Sequence, residues 1–311
     1  MIPFFRRLES HDKFLIMGCG GGFDVFAGVP LAEYLMAAGK TVVFANVSFA
    51  NLWLCGGERV TPVTWRVDRQ SSELPYFPER WLAEWYVSRG QPSPIYAFAK
   101  SGVRPLSAAL RWIVDHHGIE QIVLVDGGTD SLLFGDEFEL GSVVEDAVSI
   151  VAAQEAARDR TLLAAIGFGV DDYHGVSHHS VLENVAQITA DGRFLGAFSV
   201  TAGTQEARAY LDLVDFANRR QPEHASIVCN SIASALRGEF GNVHATRRTS
   251  GAELFINPLM TQYWTFELSG LVDRMVYAEA LVQTDRLDEA RRAIEQWREG
   301  AELRLRRPIP L

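Results

Sequence analysis

The sequence predicts an α/β protein: a mostly parallel sheet with helices on both faces and an α-rich C-terminal cover. Three observations predict it. Lys13-Phe14-Leu15-Ile16 is an apolar run of strand length, followed by the glycine turn Gly18-Cys19-Gly20-Gly21-Gly22 and an alanine- and leucine-rich segment. Strand, turn and helix in that order open a parallel sheet. Two later runs, Gln121–Val125 and Thr161–Ile166, repeat the arrangement, each feeding an acid-bearing loop and then a helix. No repeat, linker or low-complexity block divides the 311 residues, so one domain over residues 1–311 is expected.

Taken in order, the first helix is expected from Val25 to Ala38, with Pro30 tolerable only if the regular helix begins near Ala27 or Val29. Thr41–Val47 is the second strand. Residues 48–94, rich in Pro, Trp and Arg, predict an irregular excursion covering one side of a pocket, with a short helix at Trp81–Tyr86. Ile95–Ala99 reads as a strand and Pro105–His116 as a helix, with Leu106, Leu110 and Ile113 at helical spacing. Ser142-Val143-Val144-Glu145 reads as a capping box opening a helix to about Ala157, and Ser180-Val181-Leu182-Glu183 as a second. Phe194–Val200 is a further strand. Residues 203–311 then predict a helical cover with short strands: helices over Gln205–Arg219 and Ala225–Leu236, strands at Leu254–Ile256 and Tyr263–Phe266. From Asp285 onward, Leu287, Ala290, Ile294, Trp297 and Ala301 recur every three or four residues, the stripe of a docked amphipathic helix.

Hydrophobic content of 48% and charged content of 22% are those of an ordinary globular protein. The net charge of −10 argues against nucleic acid or an anionic membrane as the main partner. No apolar run approaches bilayer length. Cys19, Cys55 and Cys229 form neither a disulfide framework nor a zinc pattern, which predicts a reducing, cytoplasmic setting. A homo-oligomer is compatible with this composition.

Ligands of open parallel sheets bind beyond the carboxyl ends of the strands, and three loops converge there: Gly18–Asp24, Asp126–Gly141 and Gly167–His179. Gly18, Gly20, Gly21 and Gly22 are expected to bring backbone close to an anionic ligand, joined by Asn46 from the second strand and by Gly127, Gly128 and Thr129. The glycine spacing is neither G-x-G-x-x-G nor a P-loop, and Asn46 stands where a dinucleotide fold would want an acid, which disfavours a nicotinamide-dependent oxidoreductase. Asp126 and Asp130, an acid at a strand end and another just past two glycines, fit a hard divalent cation, Mg²⁺ being expected. Asp24, Asp171 and His174 are expected to orient water or move a proton. Asp136 reads equally as site or surface, whereas Glu137 and Glu139 read as solvated. Cys19, at a helix start, has a thiolate reading, but a small residue that fits the turn is the commoner account. His178 and His179 read as loop histidines, and Arg247-Arg248 as a solvated loop within reach of a phosphate.

Several stretches in order resemble an uncharacterised prokaryotic family, domain of unknown function 1152. They are Gly20-Gly21-Gly22-Phe23-Asp24 with Pro30-Leu31-Ala32, Val125-Asp126-Gly127-Gly128-Thr129-Asp130 with Gly135-Asp136-Glu137, Gly167-Phe168-Gly169-Val170-Asp171, and Arg247 to Leu254 with Asn257-Pro258-Leu259-Met260-Thr261. The resemblance spans about residues 13 to 270 and implies a Rossmann-like sheet; it brings no activity with it. The residues themselves point to an enzyme acting on a phosphorylated or nucleotide-like metabolite by metal-assisted hydrolysis or group transfer. The alternative is a non-catalytic module that binds or senses a nucleotide or sugar phosphate in the same pocket.

Overall fold

The protein is described by a computed structural model covering residues 2–246 and 254–309, the side chain of Tyr173 excepted. Its centre is five parallel strands: β1 (Lys13–Gly18), β2 (Thr41–Val47), β5 (Ile95–Phe98), β6 (Gln121–Gly127) and β7 (Thr161–Ile166). They are nearly continuous apolar runs because both faces are covered, and every residue of β5, β6 and β7 is buried. Spatially they run β5-β2-β1-β6-β7. The chain therefore travels outward from β1 to β5 and then crosses back to start again beside β1. This is the order of a doubly wound sheet, with its switch point between β1 and β6.

Antiparallel strands extend both edges, giving nine strands among the described residues. On one side the hairpin β3 (Glu58–Thr61) and β4 (Thr64–Val67) adds to β5, pairing Trp65 with Ala97. Residues 48–94, expected to be irregular, thus hold a hairpin and the helix α4 (Pro78–Ser88). Four-residue strands turned at Pro62 leave too little periodicity to be read. On the other side β11 (Gln262–Glu267) inserts between β7 and β8 (Phe194–Ser199), antiparallel to both. The late segment is therefore part of the sheet as well as its cover. A separate hairpin joins β9 (Gly241–Asn242) to β10 (Phe255–Ile256).

Two apolar layers flank the sheet. Against one face pack α5 (Val103–His117), α6 (Val143–Ala157), α7 (His178–Ala190), α10 (Leu268–Val272), α11 (Ala278–Leu281) and α12 (Leu287–Glu299). Against the other pack α1 (Pro3–Glu9), α2 (Asp24–Ala27), α3 (Val29–Ala37), α4, α8 (Gln205–Arg220) and α9 (Ile227–Leu236). The expected helix Val25–Ala38 is broken at Gly28, where a Cβ would lie 2.3 Å from Ile16 Cγ2. Regular helix resumes at Val29, which puts Pro30 in a first turn where it costs no hydrogen bond. The tail helix α12 is as expected, burying Ala290 and Ile294. Among the described residues no helix is long and apolar enough to cross a membrane.

Both expected capping boxes differ in detail. Ser142 precedes α6, yet its side chain makes no cap; its N–H donates to Asp130 Oδ2 at 3.1 Å instead. Helix α7 begins at His178, ahead of the expected box, because Ser177 caps it by accepting from Ser180 N. His178 and His179 thus stand in a helical first turn. Arg247 and Arg248 lie outside the described residues.

Candidate functional site

At the switch point a cleft of about 260 Å³ opens beyond the carboxyl ends of β1 and β6, lined by Asp24, Asp126, Asp130, Asp146 and Asp171. Asp24 opens α2 just past the glycine turn, and its Oδ2 accepts from Gly20 N at 2.8 Å. Asp126 is the penultimate residue of β6 and accepts from the Ser131 hydroxyl and, at 3.3 Å, from Ser131 N. Asp130 begins a 3-10 turn, Asp130–Leu132. Asp171 lies in a second such turn, Val170–His174, and accepts from Thr129 N at 2.6 Å. Asp146 comes from the first turn of α6.

The glycines serve these acids. A Cβ at Gly20 would stand 2.7 Å from Asp146 Oδ1, one at Gly128 would stand 2.7 Å from Asp171 Oδ2, and one at Gly127 would stand 3.2 Å from Asp24 Oδ1. The turn amides are also engaged: Cys19 N donates to Val125 O, Gly20 N to Asp24 and Gly22 N to Val47 O. The turn expected to cradle an anion is therefore largely committed to its own chain. Helix α2 behind it is only one turn long, too short for its dipole to add much.

Burial pushes all five carboxyls up, and for Asp24, Asp126, Asp146 and Asp171 the charge of neighbouring acids adds to it. Asp24 rises to about 7, through burial first and the charge of Asp130 second. Asp126, Asp146 and Asp171 rise well above the usual carboxylate range for the same two reasons, and Asp130 rises through burial. Among the described residues, no lysine or arginine is a main influence on any of them. One oxygen each from Asp24, Asp126 and Asp146 lies within 4.8 Å of the others. A hard cation with ligands about 2.1–2.5 Å away keeps opposite ligands roughly 4–5 Å apart, so this set fits one. Asp146 Oδ1 is buried and has no hydrogen-bond partner among the described residues, a costly condition that a cation would relieve.

Most of the residues expected at the site do meet here. Gly20, Gly21, Asp24, Asp126, Gly127, Asp130, Asp171 and His174 all line the cleft. Gly18, Gly22 and Asn46 serve the turn from below. Asn46 Nδ2 donates to Gly22 O and to the buried Glu79, both at 2.7 Å, and a Cβ at Gly18 would collide with Asn46 Oδ1. Gly128 and Thr129 act through Asp171 rather than facing the cleft. Glu137, expected to be solvated, is buried against Arg304 at 2.6 Å, and Asp136 pairs with the same guanidinium at 2.7 Å. Cys19 is fully buried, and burial with the nearby Asp146 pushes its thiol well up, which argues against a reactive thiolate. His178 packs edge-on against Phe168, and burial lowers its pKa.

Sequence reasoning missed Asp146, Lys100, Phe49 and Glu145. Asp146 carried a readable signal: with Val143, Ile150 and Ala153 it repeats at three and four residues along the buried stripe of α6. An acid on an apolar stripe needs a reason to be there. Lys100 pairs with Glu145 at 2.8 Å and lies 3.9 Å over the Phe49 ring, which stacks on Tyr76. These three form the mouth of the cleft, and no local pattern joins positions so far apart.

A family model described as "Protein of unknown function (DUF1152)" matches residues 54–309. Asp126, Asp130, Asp146 and Asp171 fall inside the match, while the glycine turn and Asp24 precede it. No curated protein and no solved structure matches the chain.

Proposed function

The chain belongs to the DUF1152 family, and we propose from its cleft that it is an enzyme of metal-assisted hydrolysis or group transfer on a small phosphorylated or nucleotide-like metabolite. The observation that carries this reading is the buried, unpartnered Asp146 Oδ1 within a three-carboxylate set of cation-binding dimensions. Asp24, Asp126 and Asp146 hold the cation, with Mg²⁺ the expected ion. When bound, it polarises a phosphoryl oxygen and lowers the pKa of water. Asp171 and His174, on the turn facing this set, accept a proton from water or from the attacking group. Asp130, which lines the same cleft, orients that water.

Charge bears on substrate binding. An anion entering this cleft of five carboxyls meets mostly like charge, since Lys100 at the mouth is paired with Glu145 and the turn amides are already engaged. A cation held by Asp24, Asp126 and Asp146 would offset that repulsion. The dinucleotide reading loses ground further, because Asn46 is tied beneath the turn rather than facing a ribose.

The test is thermal unfolding against nucleotides, dinucleotides and sugar phosphates, each with and without Mg²⁺. A ligand at about a hundred times its Kd adds roughly 2.7 kcal/mol, a shift of a few degrees for a chain of this size. A shift needing both ligand and Mg²⁺ supports the enzyme and names its substrate class, and Asp126→Asn is then expected to abolish turnover while the protein stays folded. Ligand binding that ignores metal, with no turnover, would replace the enzyme with a sensing module.

A further inference from the structure

We infer that the segment following α12 is a strap whose Arg304 and Arg306 position the acid loops of the cleft and thereby set its affinity for a divalent cation. The inference rests on the cation reading above and adds groups that do not touch the cleft. Residue 304 is zipped to the loop between Asp126 and Gly141 by backbone alone: Arg304 N donates to Asp136 O at 2.7 Å, and Phe138 N donates to Arg304 O at 2.9 Å. Its guanidinium then donates to Asp136, Glu137, Glu183 and Asn184, at 2.6 to 3.0 Å. On α12 itself, Arg298 donates to the carbonyls of Gly135, Glu137 and Phe138.

Two short paths lead from these ties to cleft acids. Asn184, held by Arg304, donates to Leu132 O at 2.9 Å and to Glu137 Oε1 at 2.6 Å, which anchors the turn that carries Asp130. Glu137 in turn accepts from Phe134 N and Gly135 N, fixing the next bend of the same loop. The second path is shorter. Arg306 pairs with Asp172, the neighbour of Asp171, and donates to Gly175 O at 3.4 Å at the end of that turn.

Why should a cleft need such ties? Asp130 and Asp171 sit on short 3-10 turns rather than on strands, and Asp171 is pressed by the charges of Asp130 and Asp24. Deprotonated, they push their own turns apart. Cationic side chains placed outside the cleft restrain those turns without neutralising the acids that a cation needs. The Asp130–Leu132 turn also carries Ser131, whose hydroxyl and N–H donate to Asp126 of the cation set, and outer groups that orient ligands commonly govern metal affinity about 10–100-fold.

The experiment compares Arg304→Gln, Arg306→Gln and a control, Arg274→Gln, in the full chain. Arg274 makes an equally well-formed pair with Asp191, away from the cleft. Mn²⁺ affinity is measured calorimetrically well below each variant's unfolding midpoint, and hydrogen exchange is followed in both acid-bearing segments. Arg304→Gln is expected to weaken Mn²⁺ binding about tenfold or more, Arg306→Gln less, and Arg274→Gln not at all. Exchange is expected to rise in residues 130–141 for Arg304→Gln and in 170–176 for Arg306→Gln. Should Arg304→Gln fail to fold, the Arg306 variant carries the same comparison for its own turn. Wild-type affinity and exchange in the folded strap variants would overturn the inference. A wild-type protein that binds no Mn²⁺ would remove the cation reading, and unchanged exchange would then overturn the strap independently.

Discussion

One loop supplies acids to two clusters that fare in opposite ways. Asp126 and Asp130 enter the cleft, where burial pushes both up and, for Asp126, neighbouring carboxyls add to it, and among the described residues no lysine or arginine pairs with either. A few residues on, Asp136 and Glu137 meet Arg304, which satisfies both and reaches Glu183 as well. Both clusters are out of water to a large degree. What separates them is compensation: the second is closed by the protein itself, and the first is left open for something from outside. Buried acids kept without an internal counter-charge lower stability unless they protonate or bind a cation, which is why this cluster is the candidate site.

Asp146→Asn should sharpen that contrast most. Isothermal titration with Mn²⁺ is expected to show binding lost beyond detection, because one of three ligands becomes neutral. In chelator the same variant should be no less stable than wild type, since a repelling acid has gone. Glu137→Gln should do the reverse. Leaving Arg304 short of a buried partner is expected to cost on the order of 3 kcal/mol in denaturant unfolding, which a cation does not restore.

A pH series separates the clusters without mutation. The cleft acids, Asp24 at about 7 among them, hold protons in the folded chain that the unfolded chain has already released above the normal carboxylate range. Metal-free stability contributed by this cleft is therefore fully present below about pH 4 and falls as pH rises through about 7. Thermal midpoints in chelator should decline between about pH 5 and pH 8, and the gain on adding Mg²⁺ should grow over the same interval as the cation replaces protons. A gain independent of pH would mean that the acids are already ionised and compensated. The smallest effect is expected for Gly20→Ala. Gly20 does not need a positive φ, so the methyl acts only by displacing Asp146 from 2.7 Å. Mn²⁺ affinity should drop roughly tenfold with little change in stability.

Much of this architecture is legible in local pattern. The five parallel strands, the acid-bearing loops at their ends and the docked tail helix each announce themselves within a dozen or so residues, as apolar runs, glycine turns and a three-and-four stripe. Asp24, Asp126, Asp130, Asp171 and His174 were found because strand ends in a parallel sheet face one side together. The β3–β4 hairpin and the insertion of β11 between β7 and β8 were not, because edge pairing is chosen by what lies beside a strand rather than by what it contains.

By itself, then, the sequence determined the parallel strands, the loops at their carboxyl ends and most of the acids those loops carry, since these follow from contiguous periodicity and strand direction. Tertiary structure alone decided which acids share a cation-sized space, bringing Asp146 from α6 to Asp24 and Asp126. It also decided that Asn46 and Glu137 turn inward as supports, and that Arg304 closes one acid cluster while the other stays open. The physical reason is the same in each case. Charge compensation and burial depend on distances between elements far apart in the chain, and those distances exist only once the helices have packed onto the sheet.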